Sequence, residues 1–186
     1  MKLPLATAAA LAGKITTTLV AEGYCQRAEA VGQIRLGLET VDRIRILVEG
    51  CDPIELRKRI AVNCQILSPG DIRIQAMLAN NMPLDVYISH LGGRPTPWEI
   101  IPPNWGALLL SLTGNDEFNA HVARMAKAQY LHWDPVRGVI QPDTRLIEKG
   151  REFIMGTIRA ATTEEEIFTL LQMPFIPPTD RNIATP

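Results

Sequence analysis

Arg43 and Arg45 are the residues of this 186-residue chain with the clearest chemical potential. They stand two apart in Arg43-Ile44-Arg45-Ile46-Leu47-Val48, a cleanly alternating run that reads as a strand. Residues two apart on a strand share a face, so this face carries two guanidinium forks, an arrangement that suits a phosphate. Other chemistries find little support. Cys25, Cys51 and Cys64 are odd in number and widely spaced, so they form neither a disulfide framework nor a Cys-x-x-Cys motif. Three isolated thiols suit a reducing cytosol. His90, His121 and His132 have no second ligand at helical spacing, which argues against zinc. No Ser or Cys sits in a nucleophile-elbow pattern.

The elements around this strand read as alternating α and β. Leu5, Ala8, Ala9, Ala12, Ile15 and Leu19 follow a helical period between Pro4 and Gly23. Arg27–Ile34 reads as a strand running into a turn at Gly32. Asp52 and Pro53 open a helix to about Val62. Ile72–Leu78 and Leu84–Ser89 are strands joined by a hairpin-like turn over residues 79–82. Leu91–Pro103, with two glycines and four prolines, reads as a linker. Asn104 is expected to cap a helix over Trp105–Leu112, and a second helix follows over Asp116–Ala128. Tyr130–Gln141 reads as a hairpin and Glu152–Ile158 as a strand. Thr163 and Glu166 form a capping box for a helix to Gln172, before a Pro-rich extended tail.

Composition bounds the partners. Lys and Arg number 19 against 20 Asp and Glu, for a formal charge of −1. That excludes a strongly basic coat but leaves room for a local basic groove. Of the basic residues 14 are Arg, which suits forked phosphate recognition and equally matches a GC-rich coding bias. No apolar run approaches the roughly 18 residues of a membrane span, and Lys14 ends the apolar stretch Ala6–Ala12 without a cleavage pattern.

The stretch from Gly32-Gln33-Ile34-Arg35-Leu36-Gly37 to Val48 resembles the signature of family X DNA polymerases, the DNA polymerase beta group of nucleotidyltransferases. In that signature a Gly-rich turn brings backbone N–H groups to a nucleoside triphosphate. Two Asp at i and i+2 then hold two metal ions, with a third carboxylate from a neighbouring strand. Pro83-Leu84-Asp85-Val86-Tyr87 resembles the strand of that third carboxylate. Trp105–Leu110 and Thr113-Gly114-Asn115-Asp116-Glu117-Phe118-Asn119 resemble the family's thumb, and Glu164–Arg181 its C-terminal ending. The resemblance implies an α/β (α+β) fold: a nucleotidyltransferase-like palm of mixed sheet and helices over 1–90, a linker over 91–103, a thumb-like α+β subdomain over 104–182 and a tail over 183–186. It resembles the reduced palm-and-thumb forms of viruses and phages.

Aligned without a gap from Gly32, the family's paired Asp positions fall on Arg43 and Arg45. A one-residue shift would put Asp42 and Ile44 there and flip the strand's apolar face, so the ungapped alignment is better. Gln33 replaces a Ser, Leu36 replaces an Arg, and Ser111 and Leu112 stand in place of aromatic residues. Arg has no acceptor and stays protonated, so it cannot replace Asp as a metal ligand. The resemblance thus implies vestigial positions at Arg43, Arg45 and Asp85, with no metal and no cofactor unless the site proves active with Mg²⁺. Arg43 and Arg45 are expected either to pair with Asp85, at least one within about 4 Å, or to hold a phosphate. Further nucleotide or phosphate candidates are Gly32, Gln33, Arg35, Thr113, Gly114, Asn115, Asp116 and Asn119; Arg124 and Lys127 are candidates for a DNA backbone. Trp98, Trp105 and Trp133 read as core or interface anchors. The leading functional expectation is a catalytically inactive homologue acting as a binding module with weak DNA or nucleotide affinity. The alternative is a structural or assembly component, for example of a phage particle, with protein partners or self-assembly; the third is an active nucleotidyltransferase. The expected location is cytoplasmic, or the host cytoplasm or virion if phage-encoded, with no membrane.

Overall fold

The computed structural model describes residues 2–89, 103–148 and 151–182. The chain falls into two compact units, Met1–Ser89 and His90–Pro186. Apart from Pro103, the expected linker lies outside the described residues, as do His90, Trp98 and the 183–186 tail.

The first unit runs β1 (Leu3–Pro4), α1 (Leu5–Ala21), β2 (Arg27–Val31), β3 (Thr40–Val41), β4 (Ile44–Glu49), α2 (Pro53–Ala61), β5 (Cys64–Pro69), β6 (Arg73–Leu78) and β7 (Pro83–Ser89). Five strands form a mixed sheet in the order β2-β4-β7-β6-β5, while β1 and β3 pair separately. Only the β4–β7 pair is parallel; the other pairs are antiparallel. Every second residue of the inner strands is apolar and points one way: Ile44, Ile46 and Val48, then Ile74 and Ala76, then Leu84, Val86 and Ile88. Ala12 and Leu19 of α1 and Leu56 and Ile60 of α2 join them, so both helices cover this face. The Asp52 carboxylate caps α2 by accepting from the backbone N–H of Ile54 at 2.7 Å and Glu55 at 3.3 Å. A turn with Asn81 at φ 59° joins β6 and β7.

The second unit holds α3 (Trp105–Thr113), α4 (Asp116–Ala128), β8 (His132–Asp134), β9 (Gly138–Glu148), β10 (Arg151–Ala160), α5 (Glu164–Leu170) and a 3-10 turn at Pro178–Asp180. Its antiparallel sheet has the order β10-β9-β8. Phe118, Val122 and Ala126 recur on one face of α4 and meet Ala107, Leu110, Trp133, Val139, Ile167, Phe168 and Leu171 in its core. Trp105 and Trp133 are both buried.

Several expectations are corrected. Asn104 precedes α3 but does not cap it with its side chain, which donates to the Val136 carbonyl at 2.8 Å. The orphan N–H groups of Gly106 and Ala107 donate instead to the carbonyls of Thr162 and Ala161, at 3.0 and 2.9 Å. Gly106 permits this approach: a Cβ there would lie 2.3 Å from the Thr163 backbone. The capping box at α5 forms in altered shape. Thr163 Oγ1 accepts from the Glu166 N–H at 3.2 Å, while the Glu166 carboxylate reaches back to the N–H groups of Ala161 and Thr162 rather than of Thr163. That helix stops at Leu170, since Gln172 takes a φ of 53°. Strand β2 ends at Val31 and Gly32 turns the chain with φ 65°, as the reading of Arg27–Ile34 expected. Strand β5 has no counterpart in the sequence reading.

Candidate functional site

The sheet face opposite α1 and α2 carries the alternate residues. Arg43 lies just ahead of β4, Arg45 is in it, Asp85 and Tyr87 are in β7, and Arg73 and Gln75 are in β6. Because β7 is the middle strand of five, Asp85 is flanked on both sides and is only 1 % exposed. A carboxylate so placed needs charged or donating partners. It has two. Arg43 Nη1 donates to Asp85 Oδ2 at 2.8 Å and Arg73 Nη2 donates to the same oxygen at 2.9 Å.

Both partners reach Asp85 diagonally. The residue opposite Asp85 on β4 is Arg45 and on β6 is Gln75; Arg43 and Arg73 each sit two positions away. Long side chains span such diagonals readily, which leaves the directly opposed Arg45 without an ion pair among the described residues. The hydrogen bond to Asp85 raises the Arg43 guanidinium further above its ordinary value, against the opposing effect of burial. The Arg73 guanidinium also lies over the Tyr87 ring, 5.2 Å from its centroid.

The loop ahead of β4 is held from within. Gly32 and Gly37 both take left-handed φ values, 65° and 72°. Gln33 Oε1 accepts from the Asp42 N–H at 3.0 Å, tying the two ends of the loop. Leu36 is buried, and Arg35 pairs with Glu29 at 3.2 Å. Asp42 is exposed.

In the second unit, Thr113, Gly114, Asn115 and Asn119 form the junction of α3 and α4. Thr113 Oγ1 donates to the Leu109 carbonyl at 2.6 Å. A Cβ on Gly114 would lie 2.2 Å from the Phe118 ring. Asn115 caps α4 by accepting from the Phe118 N–H at 2.8 Å. Asn119 Nδ2 donates to the Ser111 carbonyl at 3.0 Å and the Asn115 carbonyl at 3.2 Å. Asp116 opens the first turn of α4, where a negative charge meets the positive end of the helix dipole. Arg124 and Lys127, three apart, are exposed on the same helix.

Two charged groupings escaped the sequence reading. One is Arg73, whose signal was the alternation Arg73-Ile74-Gln75-Ala76 combined with the hairpin register that sets it beside Asp85. The other is Arg181, wholly buried, with its guanidinium paired to the buried Glu164 and its Nε donating to the Ile176 carbonyl at 2.9 Å. The rings of Phe118, Phe168 and Phe175 surround it at 5.4–5.5 Å.

Among the described residues no three His, Cys, Asp or Glu side chains gather closely enough to hold a metal ion. No helix among them is long and apolar enough to cross a membrane.

The family model "DNA polymerase beta thumb" matches residues 108–182. No curated protein matches the sequence significantly. Two solved structures of Leishmania infantum polymerase beta are similar in fold. The ternary P/T complex has a TM-score of 0.71 at 12 % identity, covering 98 % of this chain and 77 % of that one. The ternary gap complex has the same score and identity, covering 98 % and 71 %. The chain therefore has a family X DNA polymerase beta-like fold, with residues 108–182 matching that family's thumb.

Proposed function

We propose that this protein is a catalytically inactive polymerase beta-like module that binds DNA or nucleotide weakly and works in the cytoplasm. The observation that carries the reading is the donor set around Asp85. One carboxylate oxygen accepts from both Arg43 and Arg73, and the neighbouring position on β4 is a third Arg. A magnesium ion needs oxygen ligands in near-octahedral geometry. The guanidinium groups offer no acceptor, and their charge repels a divalent cation. These residues therefore do not fit the two-metal chemistry that the fold implies, and no transfer step is assigned to them.

Thumb residues support the binding half of the proposal. Arg124 and Lys127 lie on one exposed face of α4, where backbone phosphates of DNA would find two cations. The test is primer extension on gapped and primed DNA with Mg²⁺ and with Mn²⁺, beside fluorescence anisotropy of the same DNA. The expected result is no incorporation, and binding that weakens as salt rises. Metal-dependent extension abolished in Asp85→Ala overturns the inactive reading. Absence of DNA binding together with self-association favours the assembly-component reading.

A further inference from the structure

We infer that the Arg43, Arg45 and Arg73 cluster is a phosphate-binding site that works without a divalent metal. The inference rests on the reading that no metal occupies this face, and it names the ligand chemistry that replaces it: successive phosphate groups, supplied by a free polyphosphate or by a nucleic-acid backbone.

The charge balance is the first argument. Three guanidinium groups flank β7, Arg43 and Arg45 from the β4 side and Arg73 from β6, around one buried carboxylate that pairs with two of them, so the cluster keeps a positive surplus. The nearest other acids do not remove it. Glu29 is engaged by Arg35 and Arg27, Glu49 accepts from Ser89 Oγ at 3.1 Å, and Asp42, exposed on the preceding loop, attracts Arg43 through space without forming an ion pair among the described residues. Geometry is the second argument. Asp85 fixes Arg43 and Arg73 from either side, so their outer N–H groups are held rather than searching solvent. A held guanidinium loses less rotamer freedom on meeting an anion, which favours binding. Arg45, directly opposite Asp85 on β4, is half-buried and has no ion pair among the described residues. Accessibility is the third. The side chains of Arg43 and Arg73 remain 36 % and 39 % exposed.

Inorganic tripolyphosphate is the probe, titrated calorimetrically into the full chain at low salt with EDTA. Binding is expected in EDTA. Arg45→Gln should weaken it about tenfold, the value of one charge-assisted contact. Asp85→Asn should tighten it, because the competing carboxylate charge is gone. A metal-dependent site behaves in the opposite way, needing Mg²⁺ and weakening in Asp85→Asn, and that result overturns the proposal. If Asp85→Asn fails to fold by circular dichroism, Arg45→Gln decides alone, since it removes no ion pair seen here. A short single-stranded oligonucleotide forms the second arm. If it binds, loses affinity in Arg45→Gln, and tripolyphosphate does not bind, the phosphate site stands with the strand backbone as its source. Binding of neither polyanion, or affinities unmoved by Arg45→Gln, overturns it. Primer extension reads the inactive assignment separately, so the two can fail independently.

Discussion

Glu164→Ala strands the most deeply buried cation among the described residues. Arg181 is 0 % exposed and Glu164 3 %. Without the carboxylate, Arg181 keeps its bond to the Ile176 carbonyl and the faces of three Phe rings, but no counter-ion. Removing one partner of a buried ion pair costs about 3–5 kcal/mol. Glu164 also lies in the first turn of α5, where its negative charge meets the positive end of the helix dipole, so its loss costs a further ~0.5 kcal/mol. The expected loss is about 4 kcal/mol, which for a unit of this size lowers its melting temperature by on the order of 20 °C. Urea denaturation followed by tryptophan fluorescence reads this directly, because Trp105 and Trp133 are buried in the same unit. The double change Glu164→Leu with Arg181→Met removes both charges and keeps the volume, so it should recover most of the loss. A loss under about 1 kcal/mol for the single variant, or a double variant no better than the single, refutes the reasoning.

Other outcomes follow from the same geometry. Restoring acids with Arg43→Asp and Arg45→Asp should leave primer extension at background, because Arg73 still holds Asp85 Oδ2; incorporation at the rates of active relatives would show that Arg73 and the loop substitutions do not matter. Gly106→Ala should destabilise the second unit by about 2 kcal/mol or more, since the new methyl meets the Thr163 backbone; an unchanged urea midpoint would contradict this. Burial pushes the Cys51 thiol up to about 11, so its thiolate fraction at pH 8 is about a hundredfold below that of an ordinary thiol. Alkylation of native protein should be correspondingly slow at Cys51 and should rise with pH towards 11; rapid labelling at pH 8 would show the thiol to be unburied.

What was legible in the sequence was local. The alternation of Arg43–Val48, the Asp52-Pro53 start of α2 and the Thr163 cap each depend on near neighbours, and each appears where expected. The pairing of Arg43 with Asp85 was legible through the resemblance, which set two strands some forty residues apart side by side; their parallel register was not. Arg73 was not, because its role depends on a diagonal across a hairpin rather than on any motif of its own. Strand β5 was missed because Cys64-Gln65-Ile66-Leu67-Ser68-Pro69 holds an adjacent apolar pair and ends in Pro, so its alternation is blurred. Asn104 misled for a physical reason: its type suits a cap, but the chain end of β10 supplies carbonyls to the same N–H groups. The thumb candidates Thr113, Asn115 and Asn119 form hydrogen bonds within their own junction, work that their residue types alone do not reveal.

The Arg181 stitch also sets an order on synthesis. The five-stranded sheet closes when β7 enters between β4 and β6, so everything it needs has been translated by residue 89. The second unit waits much longer. Its core aromatics Phe118 and Phe168 close around a cation supplied by residue 181, and the N–H of Asn115, at the head of α4, donates to the carbonyl of that same residue. On a ribosome adding roughly 5–20 residues each second, the first unit has several seconds to fold before the second receives its last structural piece. A nascent chain stalled shortly before residue 181 would carry a finished five-stranded sheet and a second unit whose Glu164 has not yet met Arg181.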